Sequence, residues 1–158
     1  MNKILNVNNN TVTTGIALLV ARAGIAALML THGIPKLMLL VSGAPIQFPA
    51  VMGLSASVSL GLAVFSEVVC SIFILLGLGT RLATIPLIVT MMIAALFIHA
   101  ADPIAIKESA LHYLLVYVFL LIAGSGKYSL DFLLSRSSKV SIAEKPQSPT
   151  PSFAVINS

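Results

Sequence analysis

The sequence is poor in the groups from which most soluble enzymes are built. Only 9% of its 158 residues are charged, against roughly 25% in ordinary soluble domains, and that shortfall excludes a cytosolic globule. A single cysteine, Cys70, excludes an intramolecular disulfide and any Cys-x-x-Cys redox or zinc pair. Glycine-rich phosphate loops, heptads and internal repeats are missing, and so are flavin, haem and iron–sulfur motifs. The chain therefore brings no cofactor of its own. Nine Lys and Arg against five Asp and Glu give a net charge of +4. Charges this sparse describe membrane topology and not a nucleic-acid surface, so no nucleic-acid partner is expected.

What is present is apolar sequence: 58% of the residues are hydrophobic. A spanning helix takes about 20 apolar residues, and four such stretches are legible. The first runs from Val12 to Leu30 and then meets His32-Gly33-Ile34-Pro35-Lys36, where Pro35 predicts a kink or break near Gly33, with a helical extension to about Val41. Pro45 and Pro49 make the next stretch a surface loop. The second span, Leu54 to Leu78, opens with Ser55, Ser57, Ser59, Gly61 and Ala63, small residues that let helix backbones approach closely in lipid. Gly77-Leu78-Gly79 ends it, and Thr80 is placed to cap the next helix, which makes a tight antiparallel hairpin. The third span runs from Arg81 or Leu82 to Ala100 and leaves at Asp102-Pro103. The fourth runs from Lys107 to Ala123 and stops at Gly124-Ser125-Gly126.

The fold class expected is all-α, an integral membrane four-helix bundle with both termini cytoplasmic. Residues 1–11 are a short polar tail that leads into an anchor, with no signal-peptide cleavage pattern. Residues 12–134 are the membrane domain, and 135–158 form a Ser/Pro-rich cytoplasmic tail expected to be disordered. Orientation follows from the basic residues. Lys3, Arg81, Lys127, Arg136, Lys139 and Lys145 lie on one side and only Lys36 and Lys107 on the other, which the positive-inside rule reads as N-in and C-in.

Only Arg22 and Glu67 lie deep inside spans. A lone charge at mid-bilayer costs about 2.5 to 3.5 kcal/mol on insertion scales, so each needs a partner. Both sit near the middle of their spans, and an Arg22–Glu67 ion pair across the first two helices is expected. The pair is either a functional site or a device that holds the bundle together. His32, His99 and His112 fall toward the outer ends of spans one, three and four, where they could gather with Lys36 around an outward-facing polar pocket. Their depths differ by about 10 Å at 1.5 Å per residue. That spread, with no i, i+3 or i, i+4 spacing between any two, argues against a metal site or a haem. Glu108 stands four residues before His112 and is placed to orient its imidazole. Tyr113 and Tyr117 form a second such pair, read as packing or interfacial anchoring. Cys70 is a small packing residue.

With these residues placed, the chain resembles the DoxX family of small four-helix membrane proteins. The resemblance rests on Arg22 followed by HGIPKL at 32–37, SEVVCSIFILLGLGTRLATI at 66–85 and GSGKYSLDFLL at 124–134. Ser125 stands where the family often has proline between the two glycines. The likeness implies a four-helix bundle in the cytoplasmic (inner) membrane. The family takes its name from a subunit of a membrane oxidoreductase of the thiosulfate or quinol type, so the resemblance also implies redox partner proteins. It carries over Arg22, Lys36, Glu67, Arg81 and Asp131 as motif positions without roles. Arg81 and Asp131, both at the cytoplasmic surface, are expected to pair and pin the chain after the fourth span, with Tyr128 contributing a hydrogen bond.

The leading functional expectation is a membrane subunit of an oxidoreductase system. A quinone head group would sit among Arg22, Glu67, His99 and His112, with any redox cofactor on a partner chain. A transporter of protons or a small solute is the alternative from another class; with no inverted repeat in four spans, its pore would call for a homo-oligomer. A non-catalytic membrane scaffold is the third.

Overall fold

The computed structural model describes residues 11–143. Most of the polar N-terminal tail, and the tail beyond Ala143, lie outside the described residues. Five helices account for the regular structure described: α1 (Thr11–Val41), α2 (Ala56–Leu76), α3 (Thr80–Ile98), α4 (Ile104–Ala123) and α5 (Leu130–Ala143). The first four are long and apolar enough to cross a membrane. They run antiparallel in sequence order, and contacts between α1 and α4 close the ring. One end of the bundle carries the 77–79 turn and the 124–129 connection, and is called here the turn end. The other carries the 42–55 and 99–103 loops, and is the loop end.

α1 departs from the expected pattern in a way that matters below. It continues without a break through Gly33 and Pro35 to Val41, although Pro35 cannot donate to the Thr31 carbonyl. Leu30 before the proline and Leu37, Leu39 and Leu40 beyond it pack with Leu60, Val64 and Val68 of α2 and with Ile46 and Phe48 of the following loop. This second small core holds the helix together past the proline. With the helix drawn to Val41, its midpoint moves to Ala26, so Arg22 belongs to the turn half of the bundle and Lys36 to the loop half.

α2 contains a π-helical turn at Phe65–Cys70, and a second ends α3 at Ala94–Ile98. Such turns accommodate an extra residue in the coil and recur at functional sites. α2 ends in a Schellman motif: Leu78 N–H donates to Phe73 O at 2.9 Å and Gly77 N–H to Ile74 O at 3.1 Å, with Gly77 at φ +70°. Glycine takes that left-handed conformation without the Cβ penalty. The hairpin is as expected, but Thr80 is not its cap. Gly79 holds the N-cap position and Thr80 is the first residue of α3.

The main core joins Leu18, Ala26 and Met29 of α1 to Cys70 and Ile74 of α2, Ala83, Leu87, Met91 and Ala95 of α3, and Ala110, Tyr117 and Leu120 of α4. α2 is the central element, with 56% of its apolar window buried against 17% for α4. The remaining apolar surface faces outward, as it must in lipid. α5 corrects another expectation, since it extends nine residues past Leu134 into the segment read as disordered. Ser129 accepts from Phe132 N–H at 3.2 Å as an N-cap, Asp131 complements the helix dipole, and no proline intervenes before Pro146.

Candidate functional site

The structure does not bring Arg22 and Glu67 together. Side chains on a helix lean toward its N-terminus. Arg22 therefore leans toward the turn end, where its guanidinium donates to the carbonyls of Tyr128 and Ile74. The residue is 0% exposed, and Asp131 acts on it electrostatically from the next segment. Ile74 O belongs to the last turn of α2, where carbonyls carry the negative end of the helix dipole. A Cβ on Gly77 would collide with this guanidinium, so the turn is glycine for space as well as for φ.

Asp131 pins the chain after α4, as the sequence suggests, but through different atoms. Its carboxylate accepts from Gly79 N–H at 2.8 Å while its own N–H donates to Gly77 O at 3.1 Å. Arg81 instead donates to Ile122 O at 3.1 Å, and no Arg81–Asp131 ion pair forms. Backbone amides of a glycine turn lie within reach of the carboxylate without an exposed guanidinium having to be ordered, and an exposed pair contributes only about 0 to 1 kcal/mol. Tyr128 contributes its carbonyl to Arg22, and its ring packs against Gly15. Lys127 donates to Thr11 at 2.8 Å. The 124–131 segment is thus strapped across the turn end by Arg22 and Asp131.

Glu67 takes Lys36 as its partner. Lys36 lies one turn beyond Gly33, and Gly33 is where α1 meets the π-turn of α2: a Cβ there would stand 3.0 Å from the Glu67 backbone carbon and 2.8 Å from Val68 Cγ2. The N-terminal lean sends Lys36 inward and Glu67 toward the loop end, so the two heads converge. Glu67 is 2% exposed and Lys36 31%, with the ammonium 6.0 Å from the Phe48 ring centroid. The pair is therefore a buried carboxylate held by a cation that reaches in from the rim.

Around Glu67 the bundle interior is polar and incompletely bonded. Its second oxygen, Oε2, has no hydrogen-bond partner, and neither do the buried hydroxyls of Ser71 and Tyr117. Ser71 follows Glu67 by four residues on α2, while Tyr117 enters from α4, close enough for both Glu67 and Ser71 to act on its phenol. Tyr113, one turn away, stacks on Tyr117 with ring centroids 6.2 Å apart, and His32 meets Tyr113 in a T-shaped contact with centroids 5.8 Å apart. Glu67, Ser71, Tyr117 and Tyr113 thus form a file through the bundle, with His32 and Lys36 at its loop-end side. Ser66 of the same π-turn bonds Thr90 across to α3 at 2.8 Å.

The other expected members stand apart. His99 pairs with Asp102 at 2.7 Å, closing the loop between α3 and α4. His112 and Glu108 share a face of α4, but at 4.0 Å and with both side chains mostly exposed, Glu108 does not orient the imidazole by a hydrogen bond. The three histidines have three different neighbours and do not gather around Lys36. Among the described residues no group of three metal-ligating side chains assembles. The sequence reading missed Ser71 and the hydroxyl of Tyr117. The signal available was the i, i+4 spacing of Glu67 and Ser71 on one helix and of the two tyrosines on another.

Chemically the cluster offers a carboxylate acceptor, two hydroxyls that donate or accept, and a cation at the rim, all enclosed by apolar helices. That set suits a small ligand bearing carbonyl or hydroxyl oxygens, or the passage of a proton. Neither a curated protein nor a solved structure gives a significant match to the chain. The DoxX family model matches residues 17–100, which takes in Arg22, Lys36, Glu67, Ser71 and Arg81 and leaves out Tyr113, Tyr117 and Asp131. With that match spanning more than half of its length, this multi-pass membrane protein belongs to the DoxX family.

Proposed function

We propose that this chain is the membrane subunit of an oxidoreductase system and holds a quinone head group beside Glu67, with the redox cofactor on a partner protein. The observation that carries the reading is the trio of buried, unpartnered polar atoms, Glu67 Oε2, Ser71 Oγ and Tyr117 OH. Leaving one such group unsatisfied costs roughly 1 to 3 kcal/mol, so three in one place favour a ligand whose oxygens complete them. Ser71 and Tyr117 would donate to a ring carbonyl, and Glu67 would accept from a quinol hydroxyl. The lipid-facing apolar side chains of the spans suit an isoprenoid tail. Relative to the site expected from sequence, Glu67 stays, Lys36, Ser71 and Tyr117 join it, and Arg22, His99 and His112 leave it.

The distribution of Lys and Arg supports placing the turn end and both termini in the cytoplasm, in the cytoplasmic membrane. A partner that exchanges electrons with a quinone near Glu67 would then dock at one of the two bundle ends.

The test is equilibrium binding of a short-tailed benzoquinone to the purified chain in neutral detergent. Wild-type protein is expected to bind, with Glu67→Gln and Tyr117→Phe weakening binding by about tenfold, as losing a hydrogen bond to a buried polar group does. Arg136→Gln, on the exposed face of α5, is expected to leave binding unchanged. Absence of binding to wild type, or equal binding by all variants, overturns the reading. Proton flux in proteoliposomes that needs Glu67 but no quinone would replace it with transport.

A further inference from the structure

A second polar feature lies at the turn end, away from the Glu67 cluster. A cleft of about 360 Å³ is lined by Gly79, Thr80, Arg81 and Leu82 at the start of α3, by Gly124 and Ser125 after α4, and by Asp131. Three properties converge in it. The first intrahelical bond here is from Ala83 N–H to Gly79 O at 2.9 Å, so the amides of Thr80, Arg81 and Leu82 come before the helix ladder and present the positive end of its dipole. Arg81 is exposed and spends one N–H on Ile122 O, which leaves the rest of its fork free. Its guanidinium lies 3.2 Å from where a Cβ of Gly124 would stand, so glycine there clears room for it. Thr80 is 1% exposed, yet its Oγ1 has no partner.

Asp131 also lines the cleft, but its Oδ1 is taken up by Gly79 N–H and its charge is opposed by Arg22. Depth adds a further argument. α3 begins at Thr80 and crosses in 19 residues, about 28 Å at 1.5 Å per residue, which matches a hydrocarbon core of about 30 Å. The cleft therefore opens at the level of the lipid phosphates.

We infer that this cleft binds a phosphate group, held by the Arg81 guanidinium, the first-turn amides of α3 and the hydroxyls of Thr80 and Ser125. Helix N-termini bind phosphate through amides and dipole together, and arginine supplies the planar fork that grips its oxygens. The phosphate belongs either to a phospholipid head group or to a free anion from the aqueous side.

The experiment uses the full chain purified in neutral detergent, given phosphatidylglycerol, with retained lipid counted by native mass spectrometry and inorganic phosphate added as competitor. Arg81→Gln is expected to lower lipid retention by about fivefold and Thr80→Val by about twofold, while Arg136→Gln changes nothing. Arg81→Lys, which keeps the charge and loses the fork, is expected to fall between wild type and Arg81→Gln, and keeps the test decisive if the latter folds poorly. Lipid retained against excess phosphate identifies a head-group site; displacement by phosphate that depends on Arg81 identifies a site open to the free anion. Both support the inference. Equal lipid retention by wild type and the Arg81 and Thr80 variants, or an equal loss in Arg136→Gln, overturns it.

Discussion

The bundle holds two intramembrane charges and treats them in opposite ways. Arg22, in the turn half, is enclosed by the carbonyls of Ile74 and Tyr128 and by the charge of Asp131. Those groups are fixed by helix ends and a glycine turn. Glu67, in the loop half, has a single cation that reaches in from the rim and an oxygen left over, beside two hydroxyls that are also unpartnered. One charge is spent on joining helices to the segment after α4, while the other keeps bonding capacity in reserve. A buried ionisable residue is therefore not sufficient evidence of a site; what distinguishes the two is that the terminal nitrogens of Arg22 are spent on fixed carbonyls and only its Nε lacks a partner, whereas the spare oxygen of Glu67 stands beside two unpartnered hydroxyls.

The largest expected effect comes from breaking the Arg22 half. Arg22→Gln takes the guanidinium from the Tyr128 carbonyl, leaves Ile74 O with Gly77 N–H alone and removes the charge that faces Asp131, and is expected to cost about 3 kcal/mol of stability, seen as lost folded yield and a lowered Tm in detergent. Next is Gly33→Val. Its side chain would wedge α1 off the π-turn, with an expected cost of about 1 to 3 kcal/mol and a loss of quinone binding larger than the stability change alone explains. Asp131→Ala should release the 124–131 strap at about 1 to 2 kcal/mol, with faster hydrogen exchange at the amides of Gly79 and of residue 131, which donate across the contact. The smallest effect is the sharpest discriminator. Tyr117→Phe removes a hydroxyl without a partner, so stability should stay within about 0.5 kcal/mol of wild type or rise, while quinone affinity falls. A large destabilisation by Tyr117→Phe would place the two halves in the same category.

Much of this was legible in the sequence. The four spans, the Gly77–Gly79 hairpin and the packing role of Cys70 follow from hydropathy, glycine placement and residue size. The pairing of the charges was not legible, because span length gives only depth, and the depth of Arg22 depended on where α1 ends. Bounding the first span at Leu30, ahead of the break expected near Gly33, put Arg22 at mid-span beside Glu67. The leucines beyond the proline carry the helix to Val41, and that shifts the register by more than a turn. The lean of side chains toward the helix N-terminus would then have assigned Arg22 to the turn end and Lys36 to Glu67. The Ser71–Tyr117 meeting needed the rotation of α4 about its axis, and the π-turn in α2 alters that phase in a way no regular 3.6-residue wheel reproduces.

The unbroken α1 has one more implication. Its 31 residues span about 46 Å at 1.5 Å each, well over the roughly 30 Å of a hydrocarbon core. Hiding that excess by inclination alone would take about 50°, beyond the usual range of tilts up to about 40°. The helix must therefore overshoot the bilayer, and with the Ile46 and Phe48 loop folded against it it forms a parapet over the Lys36 side of the bundle. Anything approaching Glu67 from water meets that parapet first.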